Sequence, residues 1–208
     1  MNTNTHNEQQ NFWAGEFGDK YTDRNQGTKW IANNTRLFAK ILARTGEINT
    51  VLEFGANVGL NLMALKNLLP NAELSGVEIN KNAFEELDRI PGVQAYHSSI
   101  ENFEPAQQAD LTFAKTVLIH INPESLNTVY DKLYSNSRRY VLVVEYYNPT
   151  PVEIQYRGHT GKLFKRDFAG EMLDRHQDLQ LIDYGFVYHR DNHYHDDVNW
   201  FLMEKATV

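Results

Sequence analysis

Two glycines four residues apart interrupt an apolar segment in the first third of the chain. The segment "VLEFGANVGLNL" runs from Val51 to Leu62, and its glycines are Gly55 and Gly59. Glycine after a buried strand lets the backbone turn tightly and lets a ligand approach it closely. An acid, Glu53, stands inside the otherwise apolar strand, two residues before the first glycine. The combination predicts a strand-to-helix turn that binds a small ligand, although a tight turn in any α/β protein gives the same pattern.

The spacing of the glycines and the nearby acid indicate the kind of ligand. The turn reads G-x-x-x-G, whereas turns that bind a dinucleotide read G-x-G-x-x-G, so the middle glycine is missing. S-adenosylmethionine (SAM) carries a cationic amino group that Glu53 can hold, and a carboxylate that suits the amides of a helix N-terminus. The turn resembles the first motif of SAM-dependent methyltransferases. Its predicted cofactor contacts are Glu53, Gly55, Ala56, Asn57 and Gly59.

Three further features follow in chain order. An acid, Glu78, ends the second predicted strand, where such folds bind ribose hydroxyls; a solvent-facing acid at a strand end is the alternative. After the third strand, Ser99 and Ile100 stand where the methyltransferase family flanks adenine, with Ser99 in place of the usual Asp. The end of the fourth strand should lie over the reactive end of the cofactor. The predicted cofactor contacts on these segments are Glu78, Ile79, Ser99, Ile100, Lys115 and Leu118.

Hydrophobic periodicity predicts alternating strands and helices, which favours a mainly parallel sheet with right-handed crossovers. The predicted strands are Thr50–Phe54, Leu74–Glu78, Val93–Tyr96, Asp110–Ala114, Tyr140–Glu145, Leu179–His189 and Val198–Glu204. The predicted helices are Thr28–Arg44, Val58–Leu69, Asn80–Leu87, Pro123–Tyr134 and Arg166–His176. Only "RDNHYHDD" joins the last two strands, so the last strand should run antiparallel. We therefore predict an α/β, Rossmann-like fold with seven strands and helices on both faces.

The composition restricts the class of protein. The 208 residues suit a single domain, residues 1–208, and the formal net charge of −7 argues against a nucleic-acid partner. The chain has no cysteine, which removes disulfides and thiolate metal sites. No run approaches the ~18 apolar residues that a membrane span needs. The polar residues 1–10 predict a flexible tail without a signal peptide, and hence a cytoplasmic protein.

Four longer segments carry a more specific resemblance. They read "FWAGEFGDKYTDRN", "VLIHINPE", "EYYNPTPVEIQYRGHTGKLFKRDFAGEMLDR" and "DYGFVYHRD". Together they are similar to the pseudaminic acid biosynthesis-associated methylases, over nearly the whole chain from Phe12 to Lys205. The resemblance implies a class I SAM-dependent methyltransferase linked to surface-sugar biosynthesis. The pathway association does not define the acceptor atom. The cationic loop described next favours a small anionic acceptor, such as a sugar acid or a nucleotide-linked sugar.

Two segments should build the acceptor side of the site. Residues 11–25 predict a lid helix that excludes water, with Tyr21 and Arg24 as cofactor contacts; a packing helix is the alternative. Residues 147–167 predict an insert whose loop "RGHTGKLFKR" is cationic and suits an anion, although it could be a solvated loop. The predicted acceptor-binding residues are Tyr146, Tyr147, Asn148, Arg157, Lys165 and Arg166.

A hydroxyl acceptor needs a base, and His120 is the first candidate because its ordinary pKa of ~6.5 is close to neutrality. Glu145, at the end of the fifth strand, is the second, either as a base or as the group that orients His120. The alternative is that His120 caps the helix near Pro123. The segment "HRDNHYHDD" holds several metal-ligating residue types, but it forms a turn, and we expect no metal. A non-catalytic binding module and a nicotinamide-dependent oxidoreductase remain as rival functions.

Overall fold

The computed structural model describes residues 7–24 and 27–206, without the side chains of residues 23 and 24. The described residues form a seven-stranded sheet and a two-stranded ribbon. The strands are β1 (Thr50–Phe54), β2 (Glu73–Glu78), β3 (Val93–His97), β4 (Ala109–Lys115), β5 (Ser137–Glu145), β6 (Val152–Glu153), β7 (Phe164–Lys165), β8 (Leu179–Val187) and β9 (Val198–Lys205). The order across the sheet is β3-β2-β1-β4-β5-β9-β8.

The first five strands are parallel, and β9 inserts between β5 and β8 antiparallel to both. The predicted fold class is therefore confirmed, including the reversed last strand. The central strands are buried on both faces, as an apolar parallel sheet covered by helices requires. In β5, for example, every side chain from Tyr140 to Glu145 is buried.

Helices cover both faces of the sheet. They are α1 (Glu8–Ala14), α2 (Glu16–Arg24), α3 (Thr28–Leu42), α4 (Leu60–Leu68), α5 (Lys81–Asp88), α6 (Leu126–Ser135) and α7 (Phe168–Arg175). One core lies beneath α3 and α4, where Phe38 and Leu62 are fully buried. The other lies beneath α6 and α7, where Val129 and Met172 are fully buried. The packing of both faces leaves the carboxyl ends of the parallel strands as the open edge.

The N-terminal segment forms two helices where the sequence predicted one, and the first begins inside the predicted tail. A capping box starts α1, because Asn7 accepts a hydrogen bond from the N–H of Gln10 while the Gln10 side chain accepts one from the N–H of Asn7 (2.9 Å each). Helix α1 ends at Gly15, where the backbone is extended, and α2 follows. A β-carbon on Gly18 would lie 1.9 Å from the carbonyl oxygen of Trp13, so a glycine is needed for the two helices to pack this closely.

Short elements of two kinds, a two-stranded ribbon and two 3₁₀ turns, differ from the sequence prediction. Strands β6 and β7 pair antiparallel within the predicted insert, residues 147–167. A 3₁₀ turn, Leu118–His120, follows β4, and a second one, Pro123–Ser125, precedes α6. Elements of two or three residues are too short to show a hydrophobic period, so sequence periodicity does not reveal them.

Candidate active site

A cavity of about 470 Å³ lies at the carboxyl ends of the parallel strands, beneath the two N-terminal helices. Ligands bind at this edge in doubly wound sheets. Twelve of the predicted site residues line the cavity: Tyr21, Gly55, Ala56, Asn57, Glu78, Ile79, Ser99, Ile100, Lys115, His120, Tyr146 and Arg157. The structure thus brings together residues from segments that are far apart in the sequence.

The backbone conformation and the packing of neighbouring side chains favour glycine at both positions of the turn. Gly55 and Gly59 have φ angles of 74° and 77°, in the left-handed region that favours glycine. A β-carbon on Gly55 would lie 2.5 Å from a methyl carbon of Val117, and one on Gly59 would lie 2.4 Å from Ile90. The glycines therefore make room for neighbouring side chains. Close approach of a ligand to the backbone stays a prediction for Gly55, which lines the cavity. Gly59 does not line the cavity.

Glu53 lies behind the cavity wall. It is fully buried, and its Oε1 accepts a hydrogen bond of 2.5 Å from Nδ2 of Asn61, a residue of α4 that lines the cavity. Burial raises the pKa of Glu53 to about 8. The other amide atom of Asn61, Oδ1, is buried and has no hydrogen-bond partner among the described residues. Glu53 therefore does not line the cavity, and it orients Asn61, which does.

Glu78 lines the cavity from the end of β2. Its Oε1 accepts a hydrogen bond from the N–H of Asn80 (2.7 Å), and its Oε2 accepts one from the N–H of Asn57 in the glycine turn (2.8 Å). Burial raises the pKa of this carboxyl, while the backbone hydrogen bonds oppose the rise. Each carboxylate oxygen has two lone pairs, so both oxygens can still accept a hydrogen bond from a ligand.

The cavity wall just after β2 and β3 includes two apolar side chains. Ile79 and Ile100 line it, together with Ser99, which is buried. The Ser99 hydroxyl accepts a hydrogen bond of 3.3 Å from the N–H of Asn102. An apolar wall next to a carboxylate suits a flat base joined to a polar sugar.

The end of β4 supplies a cation and a strained residue. Lys115 lines the cavity; burial lowers its pKa, while Glu53 and Glu145 act to raise it. The next residue, Thr116, has a φ of 55°, which is unusual for a β-branched side chain. Its N–H is held by the carbonyl of Val144 (2.8 Å). Backbone strain of this kind costs about 1–3 kcal/mol and is concentrated at functional sites.

Glu145 holds the turn that follows Thr116. Its Oε1 accepts hydrogen bonds from the N–H groups of Val117 (2.7 Å) and Leu118 (2.8 Å). The side chain is buried and does not line the cavity, and burial raises its pKa to about 8. The predictions that Glu145 is a base or orients the His120 ring directly, and that Leu118 contacts a cofactor, are therefore not supported, since neither residue reaches the cavity.

His120 ends the 3₁₀ turn and faces the cavity. Its Nδ1 lies 2.8 Å from the carbonyl oxygen of Lys162, and its ring packs between those of Trp13 and Tyr156, with centroid distances of 4.4 and 5.1 Å. A carbonyl can only accept, so Nδ1 carries the hydrogen and Nε2 has the lone pair. Burial lowers the pKa of His120 to about 4, so the ring is neutral at pH 7. The helix cap near Pro123 is Asn122 and not His120.

The two N-terminal helices are tied over the cavity at several points. Thr22 donates to Oδ1 of Asn57 in the glycine turn (3.3 Å), and Asn80 donates to Asp19 (2.9 Å). Tyr21 lines the cavity, and burial raises its pKa to about 12. The predicted contact of Arg24 concerns a side chain outside the described residues.

Only two of the six predicted acceptor-binding residues line the cavity. Tyr146 and Arg157 line the cavity, and the hydroxyl of Tyr146 donates to Asp196 (2.8 Å). The remaining four residues do not line it: Tyr147, Asn148, Lys165 and Arg166. Their side chains have other contacts. Arg166 pairs with Glu171 (2.7 Å), the ammonium of Lys165 lies 5.0 Å from the ring centroid of Tyr146, Asn148 donates to the carbonyl of Thr150 (2.5 Å), and Tyr147 is 40% exposed.

Several cavity residues were not predicted from the sequence: Trp13, Asn34, Asn61, His195 and Asp196. Polar atoms of Trp13, Asn34, Asn61 and His195 are buried without a hydrogen-bond partner among the described residues. His195 is 3% exposed, although "HRDNHYHDD" was interpreted as a solvent turn. Two features of the sequence could have indicated these residues. Asn61 is an amide in the first turn of a predicted helix, and His195 lies shortly before an apolar strand.

Two negative findings concern the described ranges 7–24 and 27–206. Their His, Asp and Glu side chains form no group of three that could hold a metal ion. Their helices include none with the length and apolar character needed to cross a membrane.

Sequence comparison gives a short match. No protein-family model matches the chain. A tRNA1(Val) (adenine(37)-N6)-methyltransferase from Pseudoalteromonas translucida (strain TAC 125) is 30% identical over 78 residues, which are 35% of this chain. The match spans only 34% of the length of that relative.

Structural comparison covers nearly the whole chain. The SAM-bound magnesium protoporphyrin IX methyltransferase from Synechocystis PCC 6803 has a TM-score of 0.66 at 12% identity, over 98% of this chain and 100% of that one. A SAM-bound amino pentose methyltransferase from Micromonospora echinaspora has a TM-score of 0.66 at 11% identity, over 97% and 100%. The 1,6-didemethyltoxoflavin-N1-methyltransferase from Burkholderia thailandensis has a TM-score of 0.67 at 12% identity, over 92% and 84%. The chain therefore has the fold of the class I methyltransferases.

Proposed function

We propose that the chain is a SAM-dependent methyltransferase that acts on a small anionic acceptor. The observation that carries the proposal is one cavity, at the ligand-binding edge of the sheet, that combines the glycine turn, Glu78, Lys115 and His120 beneath a lid. Its volume of about 470 Å³ lies in the range of small-molecule sites. The structural neighbours named above include methyltransferases with SAM bound, which supports this choice of cofactor.

The lining residues fit SAM in their chemistry. The Glu78 carboxylate would accept hydrogen bonds from the ribose hydroxyls, and the apolar Ile79 and Ile100 would contact adenine. Lys115 would pair with the methionine carboxylate, and the unpartnered Oδ1 of Asn61 would accept a hydrogen bond from the amino group. When bound, SAM supplies a methyl group activated by its sulfonium.

His120 would act as the base for a hydroxyl acceptor. The lone pair on Nε2 would take the proton of an acceptor hydroxyl as the methyl group passes from sulfur to the acceptor oxygen and S-adenosylhomocysteine is released. The carbonyl of Lys162 would stabilise the imidazolium through Nδ1–H. The rings of Trp13 and Tyr156 exclude water from the histidine. An acceptor amine would need no base, because it could attack as the neutral amine.

The choice of acceptor rests on Arg157 and on the family resemblance. Arg157 is the predicted loop cation that lines the cavity, and it is exposed at the edge, where it can pair with a carboxylate or phosphate. The resemblance to pseudaminic acid biosynthesis-associated methylases favours a sugar acid or a nucleotide-linked sugar of nonulosonate biosynthesis. The net charge of −7 argues against a nucleic-acid acceptor, despite the partial similarity to a tRNA methyltransferase.

The test is incubation of the protein with SAM labelled isotopically in the methyl group and a pool of surface-sugar metabolites, followed by mass spectrometry. We expect label in an anionic sugar, together with stoichiometric S-adenosylhomocysteine. Binding of SAM by calorimetry without label transfer to any acceptor would favour a non-catalytic binding module. Absence of SAM binding, with NAD binding instead, would favour an oxidoreductase and contradict the proposal.

A further inference from the structure

Lys162 is a buried lysine in the insert between β6 and β7. Its side chain is 8% exposed, and its ammonium donates hydrogen bonds to Oε1 of Glu8 (2.6 Å) and Oε1 of Gln9 (2.7 Å) on α1. Gln9 in turn donates to the carbonyl of Gly161 (2.7 Å). A buried ammonium is costly unless it is paired, so α1 and this loop each depend on the other.

The same residue holds the candidate base through its backbone. The carbonyl oxygen of Lys162 accepts the Nδ1–H of His120 at 2.8 Å, which fixes the tautomer with the lone pair on Nε2. Lys162 therefore contacts the histidine through its carbonyl and the lid through its ammonium.

The lid also touches the histidine directly. Trp13, at the C-terminal end of α1, lies with its ring centroid 4.4 Å from that of His120. Phe12 lies over the ammonium of Lys162, with 5.1 Å between Nζ and the ring centroid. If α1 undocks, His120 loses its contact with Trp13, and the Lys162 ammonium loses both of its oxygen partners in the same step.

We propose that Lys162 is a positioning residue that couples docking of α1 to the tautomer and orientation of His120. The inference rests on the proposed function for its role in catalysis, but its structural content concerns the protein without ligands. Docked α1 holds the loop, the loop carbonyl holds Nδ1–H, and Nε2 then faces the cavity. Undocked α1 frees the loop, and the imidazole becomes free to rotate and to exchange tautomers.

Three variants separate this coupling from ordinary lid stability. Lys162→Met keeps the peptide carbonyl and most of the apolar stem but removes the ammonium. Lys162→Arg keeps the charge and the donors. Lys20→Met is the matched control, because Lys20 also pairs with a glutamate of the N-terminal helices at 2.6 Å, but both side chains are exposed.

The first measurement is nitrogen NMR of the ligand-free protein labelled in its histidine rings. In the wild type and in Lys20→Met we expect one His120 tautomer, with the proton on Nδ1. In Lys162→Met we expect averaging between tautomers and faster amide exchange in α1, and in Lys162→Arg a return towards the wild type. An unchanged His120 tautomer in Lys162→Met would overturn the proposal, as would an equal change in Lys20→Met.

Glu8→Gln provides a second route that does not alter a buried side chain, because Glu8 is exposed and the substitution removes only the charge that pairs with Lys162. It should move the His120 signals in the same direction as Lys162→Met. Kinetics then add the catalytic part: kcat should fall by about tenfold or more in Lys162→Met, with the Kd of SAM changed less than twofold. Absence of methyl transfer in the wild type would remove the proposed function but leave the NMR result to decide the coupling.

Discussion

Glu145 offers the sharpest test of how the site is built, because its carboxyl group holds the backbone without reaching the cavity. Its Oε1 accepts two amide hydrogens, from Val117 and Leu118, three and two residues before His120. Glutamine keeps an acceptor oxygen at this place, whereas alanine removes it. The two substitutions therefore separate the backbone contact from any proton transfer.

The expected magnitude follows from the two amides. Glu145→Ala leaves the N–H of Leu118, which is buried, and that of Val117, which is half-buried, without this partner. An unpaired buried N–H costs about 1–3 kcal/mol, so the free energy of unfolding should fall by up to about 6 kcal/mol. This is a large share of the roughly 5–15 kcal/mol by which domains are stable. Glu145→Gln should be nearly neutral at pH 5, where a neutral amide replaces a protonated acid.

The pH dependence has a definite sign. Burial raises the pKa of Glu145 from 4.5 to about 8, so between these values the folded protein binds a proton that the unfolded chain releases. The contribution of Glu145 to the free energy of unfolding therefore decreases as the pH rises through this window, by up to about 5 kcal/mol. Glu145→Gln lacks this decrease, and its stability relative to the wild type should increase from pH 5 to pH 8.

The assay is urea unfolding of the wild type and both variants at pH 5 and pH 8, together with kcat for methyl transfer. Glu73→Gln, at the exposed start of β2, is the control and should change neither quantity. A loss of kcat of about 10²-fold or more in folded Glu145→Gln would identify a base and refute the reasoning. If Glu145→Ala is as stable as the wild type, the two hydrogen bonds from the backbone N–H groups do not hold the turn.

Three further predictions concern residues that line the cavity. His120→Gln should lower kcat by about 10²–10⁴-fold. The wild-type rate should stay level down to about pH 5 and fall towards pH 4, because protonation removes the lone pair. A rate that instead rises as the pH increases through 6.5 would contradict the lowered pKa of the buried ring. Glu78→Ala should weaken SAM binding by about 1–3 kcal/mol in calorimetry, and equal weakening by Glu73→Ala would contradict the ribose contact. Arg157→Gln should raise the acceptor KM more at low salt than at high salt, with the distant Arg138→Gln as control; a change in the Kd of SAM would place Arg157 at the cofactor.

The sequence predicted the architecture well, because long apolar strands and amphipathic helices carry their own periodicity. The bounds of β1 match the prediction at both ends, and the antiparallel β9 follows from a link too short for a crossover. The cavity residues at the strand ends, such as Glu78 and Lys115, were predictable because topology alone brings strand ends together.

Side-chain partners were not predictable, because hydrophobic periodicity shows which residues are buried but not which side chains meet in the folded protein. Arg166 was expected to bind an anion, but Glu171 neutralises it. The pKa of His120 was expected near ~6.5, the value in water. Packing by Trp13, from the N-terminal part of the chain, contributes to the burial that lowers it. Glu53 was expected to face a ligand, and only the tertiary contact with Asn61 shows that it lies behind the wall.

The contacts between α1 and the insert have a consequence for the order of folding. The bonds from Lys162 to Glu8 and Gln9 join residues 154 and 153 positions apart. At about 5–20 residues per second, a ribosome needs about 8–30 s to add that much chain. During this time the N-terminal helices have no partner for these bonds, so they wait for the insert to emerge. The N-terminal helices are therefore synthesised before the insert but can dock only after it, and the nascent protein cannot close the cavity until most of the sheet has been made.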